Sequence, residues 1–173
     1  MYKRQTITRA EQQLDLLADG RLDFAIQLSR NSYPSEFRHY ELASSPLAVF
    51  VRRDHPLTQQ PISEENLRLF PQINLYIADR AEMDDVDLPP SEVLGSAKGT
   101  VETSHLLTAF EILRSTNYTL VCPAYMARND GATRDLVTLP IPEQYSRTIE
   151  YSLVAHDRTC LLYTSDAADD ASS

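Results

Sequence analysis

Long apolar runs are missing from this sequence, and cysteines are few. No stretch approaches the roughly 18 uninterrupted apolar residues of a membrane-spanning helix, and no secretory apolar segment follows the N-terminus. Two cysteines, Cys122 and Cys160, are too few for a disulfide framework. These absences predict a protein of a reducing compartment, the cytoplasm, that makes no use of a membrane.

Basic residues are also scarce relative to acidic ones. The net charge is −9, and lysine occurs only at Lys3 and Lys98. Because an acidic surface repels phosphate backbones, we expect this segment by itself to bind nucleic acid poorly. Hydrophobic residues make up 42% of the 173 positions, which suits one compact unit or two small lobes and is too much for a disordered chain.

The motifs of common enzymes are missing. There is no glycine-rich dinucleotide or phosphate loop, no GxSxG turn and no HExxH helix. The four histidines are scattered, without the spacing of metal ligands. We therefore predict no cofactor and no metal site, and the sequence favours a binding module over an enzyme.

Three polar features allow more than one interpretation. His55 precedes a proline in a predicted turn, where a structural role is favoured over a catalytic one. Cys122 lies in an apolar strand, which favours a buried inert thiol, although a nucleophile paired with His105 is conceivable. The acidic residues at 84, 85 and 87 suggest a cation site, but a solvated loop is favoured because the spacing lacks a calcium-loop pattern.

The two ends of the chain resemble library adapters more than native protein. Residues 1–5 and 160–173 resemble translations of the two complementary strands of a transposon end that is ligated to DNA in sequencing libraries. A native disordered tail rich in Ala, Asp and Ser is the alternative for the C-terminal end. We therefore expect the native segment to be residues 6–159, and both ends are excluded from the fold prediction.

Hydrophobic periodicity predicts helices that alternate with short apolar strands. The predicted helices are residues 10–19 ended by Gly20, a short helix capped by Ser63, residues 103–114 and residues 124–128. The predicted strands are residues 22–28, 47–52, 73–78, 100–102, 118–122, 136–139 and 149–155, with a loop at 79–99. The mostly apolar run at 22–28 is typical of a sheet covered on both faces. The alternation predicts an α/β fold with largely parallel sheets.

Several segments resemble, in order, those of one bacterial family. Residues 16–26 (LLADGRLDFAI) are similar to its LLxxGxLDxAI passage, and residues 47–57 (LAVFVRRDHPL) to its LxLVxxxxHPL segment. Residues 62–73 resemble its I-S-x-x-x-L…P-x-I segment, and residues 110–127 resemble its helix–strand–proline passage. Each motif is weak alone, but their order across residues 6–159 makes the chain resemble the effector-binding domain of LysR-type transcription regulators.

The resemblance implies a fold and its division. The family's domain has two α/β lobes of the type 2 periplasmic-binding-protein kind, joined by two crossing strands. Residues 6–44 and 143–159 would form lobe I, and residues 45–142 would form lobe II. The fold would be incomplete at both ends, lacking the winged helix-turn-helix, the domain's first strand and helix, and its closing helix. Residues 115–117 (STN) resemble the STD variant of a subgroup that regulates nodulation and aromatic-compound genes.

The resemblance also implies partners. A small organic effector, anionic or aromatic, would bind between the lobes and regulate transcription. DNA would be bound only through the missing N-terminal domain, and the full-length protein would be a homodimer or homotetramer. The alternative is a solute-binding protein of a transport system with the same fold. A third interpretation is an enzyme that uses Cys122 or a carboxylate.

Candidate effector contacts follow from a general rule. Open α/β sheets bind ligands beyond the carboxyl ends of strands and at helix N-termini, and the family places pocket segments there as well. The residues selected are Gln27, Leu28 and Ser29; Asp79, Arg80 and Met83; and Thr103 and Ser104. The competing interpretation makes Thr103 and Ser104 plain helix caps and Arg80 a partner of the neighbouring acids.

Overall fold

The structure is a computed structural model that describes residue 6 and residues 10–75, 99–128 and 131–159. These residues form two compact units. The first unit contains residues 10–43 and 150–159, and the second contains residues 44–75, 99–128 and 131–149. None of the described helices has the length and apolar character needed to cross a membrane.

Every predicted helix and strand that falls within the described ranges is present, with shifted bounds. The helices are α1 (Ala10–Ala18), α2 (Glu64–Arg68) and α3 (Leu106–Ser115), with 3-10 turns at Pro56–Gln59, Ala124–Arg128 and Glu143–Tyr145. The strands are β1 (Ala25–Leu28), β2 (Phe37–Arg52), β3 (Gln72–Leu75), β4 (Thr100–Thr103), β5 (Thr119–Pro123), β6 (Leu136–Leu139) and β7 (Thr148–His156). The predicted loop at 79–99 lies almost wholly outside the described residues.

The strand pairing is mixed. β1 pairs antiparallel with β7, and β2 pairs antiparallel with both β5 and β6. The parallel pairs among the described strands are β3 with β4 and β3 with β5. The α/β architecture is confirmed, but the expectation of largely parallel sheets is wrong for the described strands. Each of these antiparallel pairs contains one of the two long strands, β2 or β7, which connect the two units along the chain.

Helix α1 ends at the predicted glycine. Gly20 has a φ of +70°, which is unstrained only for glycine. The N–H of Gly20 donates to the Leu17 oxygen at 3.1 Å, and the N–H of Arg21 donates to the Leu16 oxygen at 2.9 Å, which is the Schellman pattern. Leu22 also donates its N–H to the Leu16 oxygen, so it belongs to the helix end, and β1 starts at Ala25 instead of Leu22.

The core of the first unit lies on one face of β1. Its buried residues are Leu17, Ala25, Phe37 and Val154. On the other face of the strand, Ile26 is 61% exposed. The expectation that this strand is covered on both faces is therefore wrong within the described part of the chain, because only its alternate residues face the core.

The second unit has a core on each face of its sheet. Residues of β2 alternate between them, so Phe50 faces α3 while Val49 and Val51 face α2. The first cluster contains Ala48, Phe50, Ile73, Ala109, Phe110, Leu113, Leu120 and Cys122, and the second contains Val49, Val51, Leu57 and Leu67. On α3, Leu107 is 67% exposed, whereas Ala109 is buried in the first cluster.

Candidate functional site at the strand ends

The first candidate place lies at the end of β1 in the first unit. Gln27 faces the same side as the buried Ala25, and its cross-strand partner on β7 is Ser152. The N–H of Ser29 donates to the Glu150 oxygen at 2.9 Å, which extends the ladder by one residue. The hydroxyl oxygens of Ser29 and Ser152 are 2.7 Å apart and share a hydrogen bond. Three polar side chains therefore lie together on the inner face of this sheet, while Leu28 alternates to the other face.

The amide of Gln27 is the unusual group of this cluster. The residue is 6% exposed, and neither Nε2 nor Oε1 has a hydrogen-bond partner within the described structure. A primary amide offers both donors and acceptors, and leaving a buried polar group unpaired costs about 1–3 kcal/mol. Such groups are rare in native proteins, so each requires an explanation. A ligand that supplied the missing partners would recover this free energy.

Ser152 is the member of the cluster that the sequence prediction missed. It lies inside the apolar segment YSLVA of β7 and is 3% exposed. A serine in a strand is usually assigned to the solvent face, and only the register with β1 shows that it faces inward. The sequence did contain one signal for Ser152, because the alternation of residues along β7 assigns this polar residue to the core face.

The second candidate place lies in the second unit, where β4 ends. Thr103 pairs in parallel register with Leu75 of β3, so the carboxyl ends of both strands lie at one edge. The hydroxyl oxygen of Thr103 accepts a hydrogen bond from the N–H of His105 at 3.1 Å. Ser104 follows and is exposed.

The start of α3 differs from the prediction in one respect. The helix begins at Leu106 with His105 as its N-cap, and the His105 side chain makes no capping bond. Thr103 and Ser104 therefore precede the helix, and neither is its N-cap, so the interpretation as helix caps is wrong. The physical reason is that pairing with β3 keeps Thr103 extended. The role of both residues as effector contacts stays a prediction.

The third candidate place, Asp79, Arg80 and Met83, lies outside the described residues and stays a prediction, as do the acidic residues at 84, 85 and 87. Within each unit the structure brings together neighbouring candidates: Gln27, Leu28 and Ser29 in the first, Thr103 and Ser104 in the second. No group of three His, Cys, Asp or Glu side chains in the described ranges is arranged to hold a metal ion.

His55 has the structural role that the sequence favoured. It is fully buried, its Nδ1 accepts the Leu57 N–H at 3.1 Å, and its Nε2 lies 3.1 Å from the Asn117 carbonyl oxygen. Because Nδ1 accepts a hydrogen bond, the ring proton is on Nε2, which donates to Asn117. Burial lowers the pKa of His55 below its ordinary value, and the nearby Arg52 acts in the same direction. The ring is therefore a neutral bridge between two loops.

Cys122 is the buried inert thiol that the sequence favoured. Its side chain belongs to the α3-facing core, and burial raises the pKa of Cys122 to about 12. At neutral pH the thiolate, which is the nucleophilic form, is then almost unpopulated. The geometry of this residue gives no support to covalent chemistry.

Comparison with known proteins agrees with this architecture. The family model described as "LysR substrate binding domain" matches residues 5–161. No curated protein matches the chain. Similar solved structures include a probable transcriptional regulator from Pseudomonas aeruginosa, with 22% identity, a TM-score of 0.67, and coverage of 83% of this chain and 48% of that one.

Two further structures are regulators as well. A full-length OxyR variant from Pseudomonas aeruginosa is 20% identical over 86% of this chain and 51% of that one, with a TM-score of 0.64. The C-terminal domain of a probable LysR family transcriptional regulator from a Rhodococcus species is 20% identical over 87% and 73%, with a TM-score of 0.64. The chain thus spans about half the length of two of these proteins.

At these identities the structural likeness shows the fold, which is the α/β fold of the type 2 periplasmic-binding-protein kind. The family assignment comes from the family model, because it covers nearly the whole chain. The alternative of a transport solute-binding protein is not favoured by these matches. The chain belongs to the LysR substrate-binding domain family, the ligand-sensing domains of transcription regulators.

Proposed function

We propose that this domain senses a small organic molecule through the inner face of the β1 end. The observation that carries the proposal is the buried, unpaired amide of Gln27 beside the hydrogen-bonded hydroxyls of Ser29 and Ser152. Family membership supports a sensing role, and the cluster supplies groups that can orient a ligand.

The chemistry of the cluster favours a ligand with at least one polar group and an apolar body. The Gln27 amide can donate and accept, while the two serine hydroxyls form a bond that can rearrange to include a third partner. Ala25, on the same face of β1, is the adjoining apolar residue. Leu28 lies on the other face and stays a proposed contact on the basis of the sequence alone. The effector is therefore proposed to be a small organic molecule, with an anionic or an aromatic compound as the two classes to be tested.

The other candidate residues are proposed as further contacts. Thr103 and Ser104 lie at the carboxyl edge of the parallel pair of β3 and β4, where a ligand meets free N–H groups at the start of α3. Asp79, Arg80 and Met83 complete the set on the strength of the sequence alone.

The regulatory step is proposed to follow from selective binding. A ligand shifts a protein between two conformations only by as much as its affinity for them differs.

We propose that the full-length protein acts in the cytoplasm as a homodimer or homotetramer, and that it binds DNA through a part outside this chain. We also propose that the domain binds its ligand without chemical conversion, in keeping with the inert Cys122.

The proposal is tested by a calorimetric and thermal-shift screen of the whole chain against small aromatic acids, aromatic amides and aliphatic carboxylic acids. The informative variant is Gln27→Leu, with Gln60→Leu as a control because Gln60 is exposed in the second unit. Removing an unpaired amide should leave the melting temperature of the ligand-free protein unchanged or higher. The same change should weaken ligand binding by about tenfold.

Two results would count against the proposal. One is that no compound of these classes binds. The other is that a bound compound has the same affinity for the wild type and for Gln27→Leu. Equal weakening by Gln27→Leu and by Gln60→Leu would show an effect that is not specific to the cluster and would also reject the proposal.

A further inference from the structure

Another polar place lies in the second unit and includes none of the proposed effector contacts. It is an open depression of about 420 Å³ beside the loop between α3 and β5, and every residue that lines it is of a polar or charged type. The lining residues are Arg52, Arg114, Ser115, Thr116 and Asn117. Because β5 runs parallel to β3, and β3 parallel to β4, the amino end of β5 is at the opposite edge of the sheet from Thr103.

Most hydrogen-bond acceptors around this depression already accept hydrogen bonds from neighbouring groups of the chain. The Thr116 hydroxyl donates to the Ile112 oxygen at 2.6 Å, and the Ser115 hydroxyl donates to the Glu111 oxygen at 3.1 Å. The Thr116 hydroxyl oxygen in turn accepts the Tyr118 N–H at 3.2 Å. The N–H of Thr116 also donates to the Leu113 oxygen, so the carbonyls of residues 111–113 in the last turn of α3 are occupied.

The donors of the depression, in contrast, exceed the acceptors. Arg52 donates from Nε and Nη2 to the side-chain oxygen of Asn117, at 3.2 and 2.9 Å. A guanidinium carries more N–H groups than these two bonds use, and the Asn117 amide nitrogen carries two more. The side-chain oxygen of Asn117 already accepts both bonds from Arg52, so the Asn117 amide presents only its N–H₂ group to a ligand.

The two arginines of the depression differ in whether a carboxylate balances their charge. Arg114 is matched by two carboxylates, since it donates to Asp135 at 2.8 Å and also pairs with Glu111. Arg52 is held by a neutral amide, so its charge is not balanced by the group that fixes its position. The result is an oriented guanidinium beside a free amide N–H₂, on a chain with a net charge of −9.

We propose that this depression binds a small oxyanion, such as inorganic phosphate, sulfate or the carboxylate of a small acid. Charge-assisted bonds from a fixed guanidinium suit such a group, because its oxygens accept several hydrogen bonds at once. The anion would bridge Arg52 and the Asn117 amide nitrogen, and so link the end of β2 to the loop before β5. Binding of the anion would therefore restrain the loop between α3 and β5.

The test is a titration of the whole ¹⁵N-labelled chain with sodium phosphate at constant ionic strength, followed by NMR. The expected result is saturable shifts of the Arg52 Nε–H and of the backbone amides of residues 116–118, with a dissociation constant in the millimolar range. Parallel titrations use sulfate, acetate and chloride. Saturation by the oxyanions but not by chloride supports the site, whereas identical linear shifts with all four salts would overturn it.

Two variants assign the binding to these residues. Arg52→Gln removes the unbalanced charge and is expected to weaken phosphate binding by about tenfold. Asn117→Asp keeps an acceptor for Arg52 and so keeps the loop in place, but it replaces the free amide N–H₂ with a carboxylate oxygen. It is expected to abolish saturable binding without changing the amide spectrum of α3 and β5.

The matched control is Arg128→Gln, which removes an exposed arginine of the same unit outside the depression. It is expected to bind phosphate as the wild type does. Wild-type affinity in Asn117→Asp would disprove the site even if Arg52→Gln failed to fold. Equal weakening of phosphate binding by Arg52→Gln and Arg128→Gln would show that the loss of one positive charge, and not the site, is responsible, and would also reject the proposal.

Discussion

Two apolar strand segments of this chain look alike in sequence but differ in their surroundings. In the second unit, the apolar run at the end of β2 is buried on both faces, with Val49, Phe50 and Val51 fully inaccessible. In the first unit, β1 buries Ala25 and Gln27 on one face and leaves Ile26 61% exposed on the other. An apolar run thus predicts a strand, but the neighbouring elements decide whether one face or both are covered.

This difference predicts an uneven distribution of stability. Among the described residues, the second unit has a cluster on each side of its sheet, whereas the first has one small cluster. Regions with less buried apolar surface open at lower free energy. Amides of β1 are therefore expected to exchange hydrogen faster than amides of β5.

The largest expected effect is from Phe50→Ala. Phe50 is fully buried and lies against Phe110, with ring centroids 6.3 Å apart. Its removal leaves a cavity in the centre of the larger core, so the free energy of unfolding should fall by about 3–5 kcal/mol. Urea unfolding followed by circular dichroism measures this, and hydrogen exchange at β5 localises it. A loss below about 1 kcal/mol would contradict the packing described.

A pH dependence is expected from His55 in the same unit. Its folded-state pKa is lowered below the ordinary value of about 6.5, mainly by burial. The neutral ring therefore contributes stability that is fully present above that value and is lost as pH falls through it. Below about pH 6.5, the wild type should lose stability because the unfolded chain binds the proton more readily.

The variant His55→Gln isolates this effect from the other histidines. It should be destabilised by about 1–3 kcal/mol at pH 8, since the partners at Leu57 and Asn117 lose well-placed groups. Its stability should also fall less steeply than that of the wild type between pH 7 and 5. Equal slopes for the two proteins would show that another group is responsible.

A smaller effect is expected from Gly20→Ala in the first unit. The φ of +70° disfavours a side chain, and a Cβ would lie 3.1 Å from Nη2 of Arg158, which donates to the Leu17 oxygen. The expected destabilisation is about 1–2 kcal/mol. Repeating the change in an Arg158→Ala background should lower the cost, because only the backbone term then remains. An additive pair would show that the two residues do not interact.

The smallest effect is expected from Ile26→Ala. This side chain is already largely exposed, so its truncation should change the free energy of unfolding by less than about 0.5 kcal/mol. The matched control is Val51→Ala in β2, a smaller truncation at a fully buried position, with an expected loss of roughly 2 kcal/mol. If both variants lost the same amount, the contrast between the two strands would be wrong.

Local signals in the sequence were sufficient where a structure depends on a few neighbouring residues. The Schellman end at Gly20 and the N-cap at Ser63, whose hydroxyl accepts the Asn66 N–H at 3.2 Å, were both expected. The first half of β2 was missed, because residues 38–44 are exposed and carry no alternating apolar pattern. Backbone pairing holds that segment extended, as the bond from the Asp157 N–H to the Glu36 oxygen shows beside it.

The candidate site shows the same difference between features set by local sequence and features set by strand pairing. Its position after β1 was predicted, because the carboxyl end of a strand follows from chain order. The inward orientation of Ser152, the unpaired state of the Gln27 amide and the extended conformation of Thr103 were not predicted. Each depends on which strand lies alongside and in what register.

By itself, the sequence determined most of the described helices and strands, the turn at Gly20, the inert Cys122 and the family. Propensity, capping and apolar periodicity are properties of short segments, so they can be predicted before the chain folds. Only the tertiary structure decided that β1 is covered on one face, that Ser29 bonds Ser152 and that Arg52 is held by Asn117. These contacts join residues far apart in the chain, and their geometry is fixed by strand register and packing, which no single segment specifies.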